Sequence, residues 1–343
     1  MKRRIMAAVC LMAAAILMLS GCGADTKPAG SADGEAVQNG TEVGTDDGSV
    51  QDDTDVRSDG DTGADDGAVQ DSMDAAPDNG TAQAAEERDS ADDGAEIQMP
   101  AQQQISLSGR TLSILGDSIS TFRGYNPEGH AVFFPDFGEV TAVEDTWWQR
   151  VVNELGLVLC QNSSSSGATV TGDSTGTSDP ACSCNELRTG ALAGYGGVCP
   201  DLIIVYLGAN DMLKAVPLGT NDGMTLVEEG EITTFSDAYT LMLDKLQSKY
   251  PQAEIYCCTL LPIGDYGTET PFVEWVNGIG LTAADYSRVI VQIAENKGLS
   301  VIDLQDCGVS IDNLQEMTTE GVHPKPAGMA CIAEAVREAL EAR

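Results

Sequence analysis

The side chain best suited to nucleophilic chemistry is Ser118, the last residue of Gly116-Asp117-Ser118. The apolar run Leu112–Leu115 precedes this tripeptide, and a buried strand that ends in a glycine turn is a common way to expose a nucleophile. A serine hydroxyl reacts poorly at neutral pH unless an adjacent base takes its proton. Because Gly-Asp-Ser also occurs by chance, the prediction depends on the partners that the rest of the chain supplies.

The chain contains only two histidines, and they differ in their surroundings. His323 is the one good candidate for the base, and it lies near the C-terminus in Thr319-Glu-Gly-Val-His-Pro324. His130 lies in an aromatic loop, His130-Ala-Val-Phe-Phe-Pro135, with no attached carboxylate pattern. We therefore interpret His130 as a structural or pocket-lining residue and place it with the substrate-binding group.

The elements that must position these residues are indicated by the hydrophobic pattern. Five apolar runs predict strands at Leu112–Leu115, Leu157–Cys160, Leu202–Leu207, Glu254–Leu260 and Leu299–Leu304. Segments with helical periodicity lie between or after them, at Thr146–Leu155, Asn185–Leu192, Phe235–Tyr250, Thr282–Lys297 and Pro326–Leu340. Strands that alternate with helices predict a parallel sheet covered by helices on both faces.

The loops at the carboxyl ends of these strands carry the candidate residues. Ligands of an open parallel sheet bind at that edge. The first strand is followed by the Ser118 turn, the second by Asn162-Ser-Ser-Ser-Ser-Gly167-Ala-Thr-Val and the third by Gly208-Ala-Asn-Asp211. The segment with His323 follows the last predicted strand. The sequence therefore predicts that four separated segments meet at one edge of the sheet.

In their order and position relative to the strands, these four blocks resemble the SGNH subgroup of the GDSL hydrolases. The similarity extends to Glu144-Asp-Thr-Trp-Trp148 and to Ala253-Glu-Ile-Tyr-Cys-Cys-Thr-Leu-Leu-Pro262, and it spans nearly all of residues 110–343. The resemblance implies an α/β protein with a three-layer α/β/α, flavodoxin-like fold and a central parallel sheet of about five strands. It also implies a serine hydrolase that acts on ester bonds and requires no metal or organic cofactor.

The same resemblance implies the catalytic roles. Ser118 is the nucleophile, His323 is the general base, and the acid three residues before the histidine holds it in one tautomer. The family has aspartate at that place, whereas this chain has Glu320, whose extra methylene changes the reach and angle of the carboxylate. We favour Glu320, with Asp303 and Asp306 as alternatives.

The oxyanion donors are also implied by the resemblance. They are the backbone N–H of Ser118, the backbone N–H of Gly167 and the side-chain amide of Asn210. Glycine at position 167 would let the backbone approach the substrate without a Cβ in the way. Asp117 and Asp211 are expected to shape their turns.

Substrate-binding residues are predicted around this centre. Asp117 and His130 belong to this set by their position in the site loops. Trp147 and Trp148 would form a wall on which a sugar stacks, or would instead divide between core and surface. The glycine-rich segment 262–280 is an insertion that either borders the site or is a disordered loop.

The N-terminal residues indicate export and lipid attachment. Residues 1–21 combine a basic start, a short apolar run and small residues, which is typical of a secretory signal peptide. The ending Leu19-Ser20-Gly21-Cys22 resembles a bacterial lipobox, in which cleavage precedes the cysteine and the cysteine receives lipid. We therefore predict an extracytoplasmic protein that is anchored to the cell membrane through Cys22.

Residues 22–104 are a predicted disordered linker between the lipid anchor and the domain. Positions 24 to 104 contain 22 acidic and three basic residues and almost no aliphatic or aromatic side chains, so little apolar surface is available for a core. Asp55–Asp61 faintly resembles a calcium loop, but Arg57 occupies a ligand position. Residues 105–343 remain as a single α/β domain.

The composition of residues 105–343 limits the partners. The segment has 32 acidic and 12 basic residues, a net charge of −20, which argues against nucleic acid or an anionic lipid surface and favours a neutral small-molecule or polysaccharide ester. No Cys/His spacing matches a zinc site, so we expect no metal, and we expect a monomer. A disulfide is plausible among Cys182, Cys184 and Cys199. The cysteines in apolar runs are interpreted as buried hydrophobes: Cys160, Cys257, Cys258 and Cys331.

The sequence thus predicts a lipid-anchored, extracytoplasmic serine esterase for short acyl esters, with O-acetyl groups on carbohydrate as the leading substrate. One alternative is a lipase, thioesterase or acyltransferase for longer chains. Another, from a different class, is a glycan-binding lipoprotein without catalysis. The substrate prediction rests on location and family analogy, which is a weaker basis than the site residues.

Overall fold

The computed structural model describes residues 106–265 and 272–342 of the chain. The predicted signal peptide, the predicted lipid site Cys22 and the predicted linker lie outside the described residues. Within the described ranges, no helix is both long and apolar enough to cross a membrane.

Five parallel strands form the central sheet: β1 (Thr111–Gly116), β2 (Val158–Asn162), β3 (Leu202–Tyr206), β4 (Glu254–Cys258) and β5 (Ser300–Ile302). Their spatial order is β2-β1-β3-β4-β5, with every neighbouring pair parallel. This order is that of a flavodoxin-like sheet. All five strands coincide with the predicted apolar runs, because residues buried on both faces of a parallel sheet read as continuous hydrophobic stretches.

Seven α-helices are present in the described residues: α1 (Trp147–Leu155), α2 (Glu186–Gly190), α3 (Ala209–Leu213), α4 (Phe235–Lys249), α5 (Ala283–Asn296), α6 (Leu314–Met317) and α7 (Pro326–Glu341). Helix α1 packs against α7, and α4 packs against α5. The three-layer α/β/α prediction is confirmed. The short helices α3 and α6 were not predicted, because four or five residues are too few to show a helical period.

Local signals explain where the longer helices begin and end. The Thr146 side chain accepts a hydrogen bond from the N–H of Gln149 at the start of α1, and Gly156 ends that helix with φ +65°. The Gln149 side chain does not complete a capping box with Thr146, because it donates to Asn153 instead. Pro326 occupies the first turn of α7, where its missing N–H costs nothing.

The core includes the strand that leads to Ser118. Leu112, Ile114 and Leu115 of β1 have no exposed surface, and every residue of β3 is buried. A second, two-residue antiparallel pairing joins 172–173 to 231–232 outside the main sheet. It holds the chain that leaves the Gly167 loop, so that loop is supported at both ends.

The cysteines form no disulfide among the described residues, contrary to one prediction. All eight described cysteines are free, and the Cys182 and Cys184 sulfurs lie 3.6 Å apart without a bond between them. The predicted bridge among the three loop cysteines is therefore not formed in this structure. Cys257 and Cys258 are buried as predicted, whereas Cys160 and Cys331 are only partly buried.

Candidate active site

The nucleophile turn begins where β1 ends. A Cβ at Gly116 would lie 2.8 Å from the side chains of both Ser120 and Ser164, so only glycine fits this position. The next three residues form a 3-10 turn, Ser118–Ser120, whose N-cap is Asp117. The Asp117 carboxylate accepts a hydrogen bond from the N–H of Ile119 at 3.1 Å. This cap fixes the turn that presents the Ser118 hydroxyl.

Ser118, His323 and Glu320 form a continuous chain of hydrogen bonds. The Ser118 Oγ and the His323 Nε2 are 2.8 Å apart, and the His323 Nδ1 contacts the Glu320 carboxylate. Because a carboxylate accepts and cannot donate, the proton on this neutral ring belongs at Nδ1, which leaves Nε2 free to accept the serine proton. These are the contacts that a serine nucleophile, its base and an orienting acid require.

A tight turn holds Glu320 close to His323. The N–H of Thr319 donates to the His323 carbonyl at 2.9 Å, and Gly321 between them adopts φ +91°. A Cβ on Gly321 would lie 3.1 Å from the Gly264 carbonyl oxygen, so this glycine serves both the turn and a close approach. The turn lets the longer glutamate side chain fold back onto the imidazole.

The two alternative acids lie elsewhere. The Asp303 carboxylate accepts hydrogen bonds from the Thr259 hydroxyl at 2.8 Å and from the N–H of Gln305 at 3.0 Å. Asp306 lines a surface groove beside α7. Of the three acids considered from sequence, Glu320 is therefore the one that the structure places against His323.

An aromatic ring covers one face of the His323 imidazole. Phe133 stacks on it with ring centroids 3.6 Å apart and planes at 9°. The Thr121 hydroxyl donates to the Ser118 carbonyl at 2.9 Å and accepts from the N–H of Phe133 at 2.9 Å. The aromatic loop is thus tied directly to the nucleophile turn. Sequence analysis did not identify Phe133, because nothing in the loop indicates which ring faces the histidine.

The three predicted oxyanion donors come from three different loops. Within the part of the chain that the structure describes, neither the Ser118 N–H nor the Gly167 N–H donates a hydrogen bond. The Asn210 side-chain amide lies 3.5 Å from Asp117, which orients it towards the nucleophile turn. Two of the three predicted donors are thus without an acceptor among the described residues, and their role in binding an oxyanion stays a prediction.

The backbone conformation at position 167 favours glycine, and the close approach of this backbone to substrate stays a prediction. The φ of Gly167 is +77°, a conformation that other residues rarely adopt, and a Cβ there would meet no atom within 4 Å. Backbone conformation, and not crowding by the protein, explains the glycine. Its carbonyl accepts a hydrogen bond from the Lys214 Nζ at 3.1 Å, so α3 and the segment after it contact this loop directly.

The residue after Asn210 holds the neighbouring part of the Gly167 loop. The Asp211 carboxylate accepts hydrogen bonds from the N–H of Val170 at 2.8 Å, and from the N–H and hydroxyl of Thr171 at 3.2 and 2.9 Å. Asp211 has no exposed surface, and this burial raises its pKa to about 6. The prediction that Asp211 shapes local structure agrees with these contacts.

The predicted sugar-stacking wall is wrong. Trp147 and Trp148 both have no exposed surface, because the apolar face of α1 turns both rings into the core. The Trp147 indole N–H donates to the Ser120 hydroxyl at 3.1 Å. Trp148 packs under Tyr125 with ring centroids 5.3 Å apart. Neither ring is available to a substrate.

Direct substrate binding by Asp117 is also wrong. Asp117 is only 1% exposed. Its carboxylate already accepts hydrogen bonds from the N–H of Ile119 and from the Asn210 side-chain amide. Burial raises its pKa to about 6, while the hydrogen bond from the N–H of Ile119 and the charge of Arg188 act in the opposite direction. Asp117 therefore shapes the turn and orients a neighbour.

His130 is partly buried and makes a structural contact. Its Nδ1–H donates to the Ser164 carbonyl at 3.0 Å, which ties the aromatic loop to the loop after β2. Burial is the largest influence on its pKa and lowers it, so the neutral ring is favoured. This placement fits the structural half of the prediction for His130, and a substrate contact stays a prediction.

The insertion at 262–280 contacts two parts of the site through its described residues. The N–H of Gly264 donates to the Gly321 carbonyl at 2.9 Å, in the turn that carries Glu320. The Asn277 side chain donates to the Met212 carbonyl of α3 at 3.0 Å. The described parts of this segment thus border the site, as one of the two predictions proposed.

Arg188 of α2 is a residue that sequence analysis missed. Its side chain is completely buried and donates to backbone carbonyls of Gly116 at 2.8 Å, Ser163 at 3.1 Å and Pro180. Two of these carbonyls belong to the nucleophile turn and the loop after β2. A lone arginine in a short helix carries no sequence signal for such a position.

Grouped metal ligands are absent from the described part of the chain. In residues 106–265 and 272–342, no three His, Cys, Asp or Glu side chains are grouped so that they could hold a metal ion. The chemistry described for this site uses only the side chains and backbone donors named above.

Comparison with known proteins relates part of the chain to one family. Residues 110–269 match the sequence profile of the GDSL-like lipase/acylhydrolases. The chain is similar to the solved structure of a candidate GDSL-like lipase from Bacteroides ovatus, with 25% identity, a TM-score of 0.51, and coverage of 69% of this chain and 100% of that one. The chain is also similar to a candidate GDSL-like lipase from Bacteroides uniformis. The identity is 26%, the TM-score is 0.51, and the match covers 68% of this chain and 97% of that one. None of the curated proteins matches the chain.

A structure from Lactobacillus plantarum shares the fold at 22% identity, with a TM-score of 0.52 and coverage of 69% of this chain and 98% of that chain. The profile match includes the segments of Ser118, Gly167 and Asn210, and the solved structures extend the similarity over most of the described domain. The family prediction is supported: residues 110–269 match the GDSL-like lipase/acylhydrolases, and the similar solved structures include candidate GDSL-like lipases.

Proposed function

We propose that this chain is a serine esterase that works outside the cytoplasmic membrane, to which lipid on Cys22 anchors it. It hydrolyses short acyl esters, with O-acetyl groups on carbohydrate as the leading substrate. The observation that carries the proposal is the hydrogen-bond chain from Ser118 through His323 to Glu320 at the carboxyl end of β1. A buried serine with a histidine at 2.8 Å has the base that a nucleophile needs.

In the first half of the reaction, the Ser118 Oγ attacks the acyl carbonyl carbon while its proton passes to the His323 Nε2. The Glu320 carboxylate accepts the Nδ1–H and stabilises the imidazolium that forms. The N–H groups of Ser118 and Gly167 and the Asn210 amide bind the oxyanion. The imidazolium then protonates the leaving alcohol oxygen, and an acyl-serine remains.

In the second half, water enters where the alcohol left. His323 takes a proton from the water, the resulting hydroxide attacks the acyl carbon, and the same donors bind the second oxyanion. Collapse of this intermediate returns the proton to the Ser118 Oγ and releases the carboxylic acid. Every proton moves through one ring nitrogen, so one histidine in one orientation suffices for both halves.

A neutral substrate fits the charge of the domain. Residues 105–343 carry 32 acidic and 12 basic side chains, so an anionic substrate would be repelled during approach. O-acetylated carbohydrate is neutral at the reacting ester and is accessible to a protein outside the membrane. The choice of carbohydrate rests on the predicted location and on analogy, which is a weaker basis than the site geometry.

The test is acetate release by the full chain from p-nitrophenyl acetate, acetylated polysaccharides and peptidoglycan. Ser118→Ala should reduce turnover by about 10³-fold or more, since the nucleophile is lost while binding remains. Full activity in Ser118→Ala would refute the proposal. A preference for decanoyl over acetyl esters would favour the lipase alternative. Glycan binding that survives Ser118→Ala, with no turnover of any ester, would favour the binding lipoprotein.

The proposed anchor is tested separately. Cys22→Ala should move the protein from the membrane fraction to the soluble extracytoplasmic fraction, because acyl chains on one residue supply the anchoring energy. Ester hydrolysis by the released protein should be unchanged. Membrane association that persists in Cys22→Ala would contradict lipid attachment at this residue.

A further inference from the structure

The lysine and arginine side chains of this acidic domain differ in whether they have a carboxylate partner. The described residues include eleven lysine and arginine side chains, and nine of them form ion pairs with carboxylates. In the described part of the chain, the two without such an ion pair are Arg188 and Lys214. Both donate to carbonyls of the active-site loops, Arg188 to Gly116 and Ser163 and Lys214 to Gly167.

Arg188 is the more unusual of the two, because it is completely buried. A buried cation without a carboxylate partner is costly unless its donors are satisfied. Here the Nε and both terminal nitrogens are occupied by backbone carbonyls from three separate segments. Burial lowers the pKa of Arg188 to about 10, so the guanidinium remains charged at neutral pH.

The carbonyls that Arg188 binds lie beside the reacting groups. Gly116 lies two positions before Ser118, and its carbonyl also accepts a hydrogen bond from the N–H of Ser165 at 3.2 Å. The Ser163 carbonyl lies in the loop that leads to Gly167. The guanidinium therefore bridges the segment that presents the nucleophile and the segment that presents a predicted oxyanion donor.

We propose that Arg188 is a positioning residue for the esterase reaction, and that its guanidinium sets the separation of the Ser118 turn and the Gly167 loop. This inference rests on the proposed function. The planar guanidinium carries five N–H donors in a fixed arrangement, which lets one side chain bind three carbonyls in different directions. Lysine has a single nitrogen and cannot reproduce this bridge.

The guanidinium also places a fixed positive charge beneath the nucleophile turn. Burial raises the pKa of Asp117, and the positive charge of Arg188 acts in the opposite direction as a smaller influence. Asp117 in turn orients Asn210. Arg188 therefore binds, through hydrogen bonds, two of the three loops that carry predicted oxyanion donors.

The test compares Arg188→Met and Arg188→Lys in the full chain. For Arg188→Met we expect kcat on p-nitrophenyl acetate to fall about 100-fold, with KM within about threefold, because the loss concerns alignment in the transition state. Arg188→Lys keeps the charge without the bridge and should lose about tenfold in kcat. A fluorophosphonate should still label every active site in both variants, only more slowly.

Chemical rescue separates positioning from general stability. In Arg188→Ala, ethylguanidinium at non-denaturing concentration should restore kcat about tenfold or more by occupying the cavity, whereas ethylammonium should not. Lys297→Met is the matched control. Lys297 is also a nearly buried cation, but it pairs with Asp244 away from the site, so its loss should lower the unfolding midpoint with kcat within about threefold.

Several outcomes would overturn the inference. One is a kcat for Arg188→Met within threefold of wild type. Another is a fall in kcat matched by an equal fall in the fraction of sites that the fluorophosphonate labels. If Arg188→Met does not fold, Arg188→Lys decides, and wild-type kcat in that variant contradicts the bridge. Failure of the proposed function itself would instead appear as an inactive wild type or an active Ser118→Ala.

Discussion

At the scale of single residues, Glu320 shows how one extra methylene is accommodated. A backbone hydrogen bond of 2.9 Å closes the turn from Thr319 to His323, and Gly321 within it adopts the left-handed backbone conformation. This geometry brings the carboxylate back to the ring nitrogen of a histidine only three positions later. Asp303, the alternative, is held by the Thr259 hydroxyl.

The orienting acid gives the first prediction. Glu320→Gln should lower kcat by about 10² to 10⁴-fold with an unchanged unfolding midpoint, because an amide neither stabilises the imidazolium nor enforces the productive tautomer. Steady-state kinetics on p-nitrophenyl acetate measures the effect. Asp303→Asn is the matched control and should keep kcat within about threefold. Equal losses in the two variants would contradict the assignment.

The buried tryptophans give the second prediction. Trp148 has no exposed surface, and its indole N–H makes no hydrogen bond to another described residue, so packing alone defines its contribution. Trp148→Ala should lower the free energy of unfolding by about 3–5 kcal/mol. Urea denaturation measures this loss. At a temperature where the variant is folded, KM should stay within about twofold; a raised KM with unchanged stability would restore the sugar-binding interpretation.

At the scale of elements, α3 and the residues that follow it link two of the predicted oxyanion donors. The helix carries Asn210, while Asp211 holds the backbone of Val170 and Thr171. Lys214, directly after the helix, binds the Gly167 carbonyl. A helix of five residues has little stability of its own. Its contacts with the Gly167 loop and with Asn277 therefore hold it in place.

The titration of Asp211 gives the third prediction. Burial raises its pKa from an ordinary 3.8 to about 6, so the folded protein binds this proton more tightly than the unfolded chain. Between about pH 4 and 6, the folded state therefore gains stability as pH falls, by up to about 3 kcal/mol from this group. Asp211→Asn cannot show this gain.

Urea denaturation of the wild type and of Asp211→Asn at pH 7 and pH 4.5 measures the effect. The free energy of unfolding of the wild type relative to the variant should increase on going to pH 4.5. Carboxylates elsewhere titrate in both proteins and cancel in the comparison. If the free energy of unfolding of the wild type relative to the variant stays constant or decreases from pH 7 to pH 4.5, the pKa of Asp211 is not raised by folding.

At the scale of the whole molecule, charge governs the approach of substrate. The sequence of residues 105–343 has 20 more acidic than basic side chains, and nine of its eleven described cations are already paired. The resulting negative potential acts over about a Debye length, roughly 10 Å at 0.1 M salt. Neutral esters do not experience this repulsion, whereas anionic esters do.

This potential gives the fourth prediction. For an acetylated oligosaccharide that carries carboxylates, kcat/KM should rise several-fold, on the order of 3- to 10-fold, between 10 and 300 mM NaCl. For a neutral acetylated oligosaccharide it should change less than about twofold. Initial rates below KM measure both. A fall with salt for the anionic substrate would indicate a cationic subsite, for which exposed Lys214 is the nearest candidate.

The amino-acid sequence alone determined the parts of this protein that local patterns encode. Buried parallel strands appear as continuous apolar runs, so all five strands were predicted near their observed positions. Topology then places their carboxyl ends at one edge, which made Ser118 and His323 predictable as neighbours although 205 positions separate them. The resemblance of the four sequence blocks to one family then predicted the three-layer fold.

Only the tertiary structure decided what depends on depth and on contacts between distant segments. The sequence pattern of two tryptophans at the start of a helix is the same whether the rings are buried or exposed. The burial of Trp147 and Trp148 could therefore not be predicted. Arg188 carries no motif, because its role comes from three carbonyls that the fold brings together. Periodicity reports which face of an element is apolar, whereas these contacts depend on how several elements pack.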